Sequence, residues 1–334
     1  MTAALARRRL AWQCRHTFER TAFGFEQVVS MGNLIGRVAS NLGVLIGVSA
    51  LCFALVYIIP SDPVRAVAGP KADAATLASI RSELGLDRPL PVQYAIYLGR
   101  LVRGDLGRSY VTNEDVAGAI IERLPATAYL ALTSVLFSLV VGIGLALVVA
   151  VRGSPVWDRV LLAAALVAVS LPTFWVGMML LYAFAFRLRI LPLGGFGLAH
   201  VILPACALGL GLAGYYARIM TSSLREVLAQ DYIRSAQAKG LSRLRVYGIH
   251  ALRNALLPLV TLLGLDLAGL MGGVVLTETV FNWPGIGRLA VDAAFNQDIP
   301  MIMGTVLFSA VLVVVANTLA DATYSLIDPR IGKR

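Results

Sequence analysis

The sequence predicts an all-α membrane protein with six transmembrane helices and an extracytoplasmic segment between helices 1 and 2. Three observations carry this reading. Hydrophobic residues fill 58% of the 334 positions and charged residues only 14%, whereas a soluble domain carries about a quarter charged residues. Five stretches without a charge, 38–61, 124–151, 160–186, 190–217 and 299–320, each reach the length of a spanning helix, and a sixth, 254–287, holds only Asp266 and Glu278. Lysine and arginine cluster between these apolar runs, mostly on one side. That placement sets aside nucleic-acid binding as the reason for the net charge of +10.

The elements follow in order. Residues 1–33 form a basic N-terminal extension. Three readings of 1–30 stay open: an amphipathic helix on anionic membrane lipid, a disordered segment, or sequence ahead of a true start at Met31. Helix 1, within 34–59, serves as an uncleaved anchor. Segment 60–125 matches eight basic residues with eight acids and reads as a small translocated domain. Helices 2 to 4 lie near 126–150, 160–186 and 200–220, and the long loop 221–257 follows. Helix 5 near 258–281, the loop 282–298 and helix 6 near 300–325 complete a core of 126–327, ahead of a short tail, 328–334.

Counting lysine and arginine orients the chain. The N-terminal segment, the loop after helix 2, the loop after helix 4 and the tail hold eighteen together. The opposite side has two between helices 3 and 4, one between helices 5 and 6, and the eight of the long segment, which counts weakly. Both termini are therefore expected in the cytoplasm.

Several chemistries lack their residues. There is no G-x-x-x-x-G-K-[ST] to hold ATP and no H-E-x-x-H, and His16, His200 and His250 are far apart. Cys14, Cys52 and Cys206 have no disulfide or zinc spacing, and Leu51 stands where a lipoprotein site wants a small residue. No catalytic residue, metal site or cofactor is expected in this chain. Transport remains. Asp266, Glu278 and Asp321 fall inside predicted spans, where a charge costs at least about 2.5 kcal/mol and faces the protein interior or water. Asp266 and Glu278 are twelve residues apart, hence about 120° around and about 18 Å along one helix. Glu278 and Asp321 lie near helix ends and read as interfacial; for Asp266, a functional role and structural pairing weigh evenly.

The loop after helix 4 has a shape of its own. Leu224, Leu228, Tyr232 and Ala236 recur with helical spacing, and Asp231 precedes good helix formers. Lys239-Gly240 reads as a helix C-terminus, because glycine takes the positive φ that ends many helices. Ser242 can cap a second helix carrying Val246, Ile249 and Leu252, and Pro258 marks the start of helix 5. Such a helix–glycine–helix elbow fits a hairpin on anionic lipid, but the glycine break favours a protein partner.

At this point the chain resembles the permease subunits of ATP-binding-cassette (ABC) importers for peptides. The peptide-branch coupling pattern D-Y-[IV]-R-x-A-x-A-K-G-L and H-A-L-R-N-A-L-[IL]-P stands at 231–241 and 250–258, while Arg234-Ser235-Ala236 departs from the general Glu-Ala-Ala. Ile59-Pro60-Ser61-Asp62-Pro63 is similar to the family's P-G-D-P, with Ser61 in place of glycine. Leu84-Gly85-Leu86-Asp87-Arg88-Pro89, Gly104-Asp105-Leu106-Gly107-Arg108-Ser109-Tyr110, Leu171-Pro172-Thr173-Phe174-Trp175, Phe281-Asn282-Trp283-Pro284-Gly285-Ile286-Gly287 and Asp328-Pro329-Arg330 follow in the family's order. The resemblance covers nearly all of the chain after Met31.

The resemblance implies the type I ABC importer permease fold and a heterodimer with a second homologous permease. It also implies two cytosolic ATPases, which hold the ATP and Mg, and an extracytoplasmic peptide-binding protein. Coupling to an ATPase would fall to Ala236, Lys239, Gly240, Leu241 and Arg245. Asp62, Asp105, Pro284 and Gly285 would belong to the extracytoplasmic docking surface or gate, and Asp266 and Glu278 to the pathway. The rival reading is a stand-alone secondary transporter or channel with Asp266 as its ion site, and a membrane scaffold comes third. Nothing in the helices separates dipeptides from longer peptides, glutathione or nickel chelates.

Overall fold

A computed structural model describes residues 39–54, 72–83, 85–242, 245–271 and 274–327, with Gly36 and Val64; side chains at 83, 261, 268 and 320–327 are outside it. The expected extension 1–33, Asp62, the side chain of Asp321 and the tail 328–334 therefore lie outside the described residues. Among the described residues every regular element is helical. Three helices are long and apolar enough to cross a membrane, or up to five if each of two bent pairs is one span. A further apolar helix, α1, Ala39–Ala54, falls where helix 1 is expected.

The segment between the first two spans carries α2, Ala74–Glu83, and α3, Leu90–Val102. Near the start of α2 the Thr76 side chain and its backbone N, the latter at 3.0 Å, hydrogen-bond the exposed Asp73 carboxylate and hold its pKa below the usual value.

Helix α4 runs over Val116–Arg152 and begins ten residues ahead of the expected 126. Asp115 sets that start: its side chain accepts from Gly118 N at 2.7 Å. The far end closes on Gly153 at φ 60°, whose N–H donates to Val149 O.

The expected third helix is two pieces, α5 Pro155–Ser170 and α6 Thr173–Leu180, the latter continued by a π-helical stretch, Leu181–Arg187. The axis bends by 98° between them. Pro172 explains the break, since it has no N–H and pushes the residue before it out of the helical region; Leu171 sits at ψ 131°.

Helix α7, Leu198–Leu228, packs along α4 through small residues. A Cβ on Gly142 would lie 2.9 Å from Ala213 O, and Ser138 Oγ donates to Gly209 O at 3.0 Å. Such close approach of backbones is how helices associate where lipid removes the hydrophobic drive.

The expected fifth helix is also divided, into α10 Leu257–Met271 and α11 Val275–Val280. Between α7 and α10 come α8, Asp231–Ala238, a π-helical turn, Val246–Ala251, and α9, Leu252–Ala255. Residues 282–298, expected as a loop, include a helix, α12 Ile286–Phe295, before α13, Ile299–Ile327.

Candidate functional site

Two constructions stand near opposite ends of α4. Ala146 belongs to the first and Thr127 to the second, which puts them about 28 Å apart along the helix.

The first is the elbow. Helix α7 stops at Leu228, and Gln230, extended at ψ 148°, turns the chain into α8. This break shifts the helical phase by one residue. Leu224 is buried as expected, but Ile233 takes the inward place expected for Tyr232, which is exposed. Ile233 is fully enclosed in a cluster with Tyr216, Met220, Leu224, Val246 and Leu259. Outside that cluster, Asn254 Nδ2 donates to Tyr232 Oη at 2.7 Å and ties α8 to α9.

The end of α8 forms a Schellman motif. Leu241 N donates to Ala236 O at 3.4 Å and Gly240 N to Gln237 O at 2.9 Å, with Gly240 at φ 78°. An added Cβ on Gly240 would meet nothing within 4 Å. Glycine is thus required by the backbone conformation and not by crowding. Lys239, Gly240 and Arg245 are exposed, while Ala236 and Leu241 are half-buried.

Beyond the motif, the expected stripe of Val246, Ile249 and Leu252 gives way to Val246, Ala251 and Ala255, with Ile249 exposed. The π-helical turn is the reason, because its wider spacing re-aims the residues after it. Ser242 contributes its carbonyl, which accepts from Val246 N at 3.0 Å. The elbow is therefore an exposed, helix-capped knob on an apolar root.

The second construction is a buried polar knot around Glu278. Its carboxylate is fully enclosed, accepting from Thr127 Oγ1 at 2.8 Å and from Arg288 N at 3.0 Å. Thr127 Oγ1 in turn accepts from Ile286 N at 2.9 Å, and Trp283 Nε1 donates to Ala126 O at 2.9 Å. Glu278 is thus closed off by groups of this chain. A buried carboxylate needs donors, and the chain folds its own backbone around it.

Gly285 packs against it. It is buried, and a Cβ would run into the Glu278 carboxylate, so this glycine permits close approach. Pro284 is half-buried beside it. Asp105 stays exposed and accepts from Gly107 N at 2.8 Å within its own loop.

The structure also brings in residues that sequence reasoning passed over. Asp298 is buried, accepting from Ser109 Oγ and, at 3.1 Å, from Tyr110 N, so it pins the segment before α4 to the start of α13. Asp266 pairs with Tyr216, whose hydroxyl donates to Oδ2 at 2.6 Å. No cluster of three metal-ligating side chains occurs among the described residues.

The chain matches the family described as the binding-protein-dependent transport system inner membrane component over residues 142–333, and the N-terminal family of the same membrane components over 31–131. It is 40% identical over 307 residues to a probable peptide ABC transporter permease protein of Sinorhizobium fredii, covering 89% of this chain and 98% of that protein. A glutathione transport system permease protein, GsiC, of Salmonella typhimurium is 38% identical over 299 residues, with the same coverage of 89% and 98%. A putative peptide permease protein of Brucella suis is 39% identical, covering 88% of this chain and 97% of that protein. Among solved structures, inward-facing MetNI methionine ABC transporter matches at a TM-score of 0.51 and 19% identity, over 63% of this chain and 96% of that one. That likeness concerns the fold.

Proposed function

This chain belongs to the binding-protein-dependent transport system inner membrane components, and from that premise we propose that it is the permease subunit of an ABC importer for short peptides. The names of its relatives, which include peptide and glutathione permeases, support the substrate class. Within this reading the chain pairs with a second homologous permease, two cytosolic ATPases that bind ATP and Mg, and an extracytoplasmic peptide-binding protein. Both termini and the elbow face the cytosol, in keeping with the lysine and arginine count.

One observation carries the coupling role: the Schellman-capped end of α8, rooted by Ile233 and exposed at Lys239, Gly240 and Arg245. A knob of fixed shape can transmit displacement, whereas a flexible loop would absorb it. Closure of the ATPases would push the elbow and move α4 to α13 as packed bodies between inward- and outward-open states. Ala236 and Leu241 hold the knob to its root. Asp266, with Tyr216 as its partner, is the pathway-wall candidate, and Asp105 and Pro284 belong to the outer docking face.

The test is uptake in liposomes that hold the chain with its co-purifying subunits, supplied with binding protein and peptide. Uptake should require internal ATP and persist when ion gradients are collapsed. Uptake that follows an ion gradient without ATP would overturn the assignment.

A further inference from the structure

We propose that the cleft between α5 and α7 binds the phosphate of an anionic phospholipid. The cleft has a volume of about 320 Å³ and is lined by Arg159, Arg218 and Arg225 together with Asp158, Thr221 and Ser222. Arg225 pairs with Asp158. Among the described residues, Arg159 and Arg218 have no carboxylate partner, so the cleft keeps two positive charges unmatched.

The hydroxyls complement the charge. Thr221 Oγ1 spends its hydrogen on Ala217 O at 2.7 Å, leaving lone pairs, while Ser222 is exposed. Leu161 and Leu162 line the apolar wall. An anion is the complementary occupant, and guanidinium is the side chain best suited to phosphate oxygens.

Position selects a lipid over a soluble anion. Trp157 neighbours the cleft at the start of α5 and carries Arg152 over its ring at 4.2 Å. Tryptophan and arginine at a helix end mark the headgroup level of a bilayer. From there Leu162, Leu166 and Val169 continue as an exposed apolar face along α5, where acyl chains would lie. Basic pockets between helices on the cytosolic side are the recurring form of such sites. Access to the cytosolic leaflet rests on the orientation proposed above.

The test uses the full-length chain, delipidated in a neutral detergent and titrated with dioctanoyl-phosphatidylglycerol or dioctanoyl-phosphatidylcholine. Phosphatidylglycerol should bind on the order of tenfold more tightly. Arg159→Gln with Arg218→Gln should abolish that preference, and the paired lysine substitutions should keep it. Arg7→Gln with Arg8→Gln and Arg9→Gln should leave it unchanged; loss there would move the site to the N-terminal extension and overturn the proposal.

Phenylglyoxal labelling of the unmodified protein needs no variant to fold. Phosphatidylglycerol should protect Arg159 and Arg218, and phosphatidylcholine should not. Equal labelling with both lipids, or equal protection by inorganic phosphate at the same concentration, would overturn a lipid site. Detergent removes sidedness from the assay, so its failure would leave the transport role standing.

Discussion

Thr127 and Glu278 are joined by a 2.8 Å hydrogen bond across 151 positions of sequence, and the same hydroxyl accepts from Ile286 N at 2.9 Å. One side chain thereby serves the start of the long span, a buried acid and the loop that follows it. Thr127→Val keeps the shape and removes both bonds. It should destabilise the purified protein by about 1–3 kcal/mol, read as a lower melting temperature in detergent. An unchanged melting temperature would remove the knot's structural role.

Gly285→Ala places a methyl group against the Glu278 carboxylate. Overpacking of this kind costs about 1–3 kcal/mol. Gly144, in the middle of α4, would meet nothing within 4 Å. Gly144→Ala should therefore be neutral or stabilising by up to about 1 kcal/mol. Thermal unfolding of the two variants side by side separates crowding from helix propensity.

Ser109→Ala removes the side-chain donor that the buried Asp298 uses to hold the segment before α4. Faster cleavage by an externally added protease between 104 and 115 is expected, with insertion of the spans unchanged. Unaltered cleavage would mean that Tyr110 N alone holds the segment.

Ile233→Ala empties the root of the elbow, where the side chain is fully buried. The loss should be about 2–5 kcal/mol, against about 0.5–1.5 kcal/mol for Ile233→Val. Hydrogen exchange should rise over α8 and α9 first. A uniform rise along the chain would mean that the elbow is not a local unit.

Much of this architecture is legible in the sequence, and the parts that are not share a cause. Uncharged runs place the spans because lipid imposes a length and a composition. Lys239-Gly240 announces its cap because few residues adopt φ 78°. Helical spacing points to Tyr232 as the inward residue of α8, whereas Ile233 takes that place, because two residues outside the helical run reset the phase. Leu171-Pro172 lay inside an apolar run, so the run read as one helix although proline bends it by 98°. Glu278 reads as interfacial since its donors come from 127 and 288, far away or in backbone that carries no sequence signal. Asp298 was missed for the same reason: its partners lie 188 and 189 positions away. Local backbone rules can be read along a chain; long-range hydrogen bonds of buried acids cannot.

Coupling through the elbow is tested most directly at Gly240, by measuring ATP hydrolysis and peptide uptake together in the reconstituted complex. Gly240→Asn should retain both, because asparagine tolerates the left-handed conformation. Gly240→Val should leave the complex assembled and hydrolysing ATP, with uptake reduced at least about tenfold, since a β-branched residue there is strained. Full uptake by the valine variant, or equal loss in both variants, would contradict a role for the capped turn.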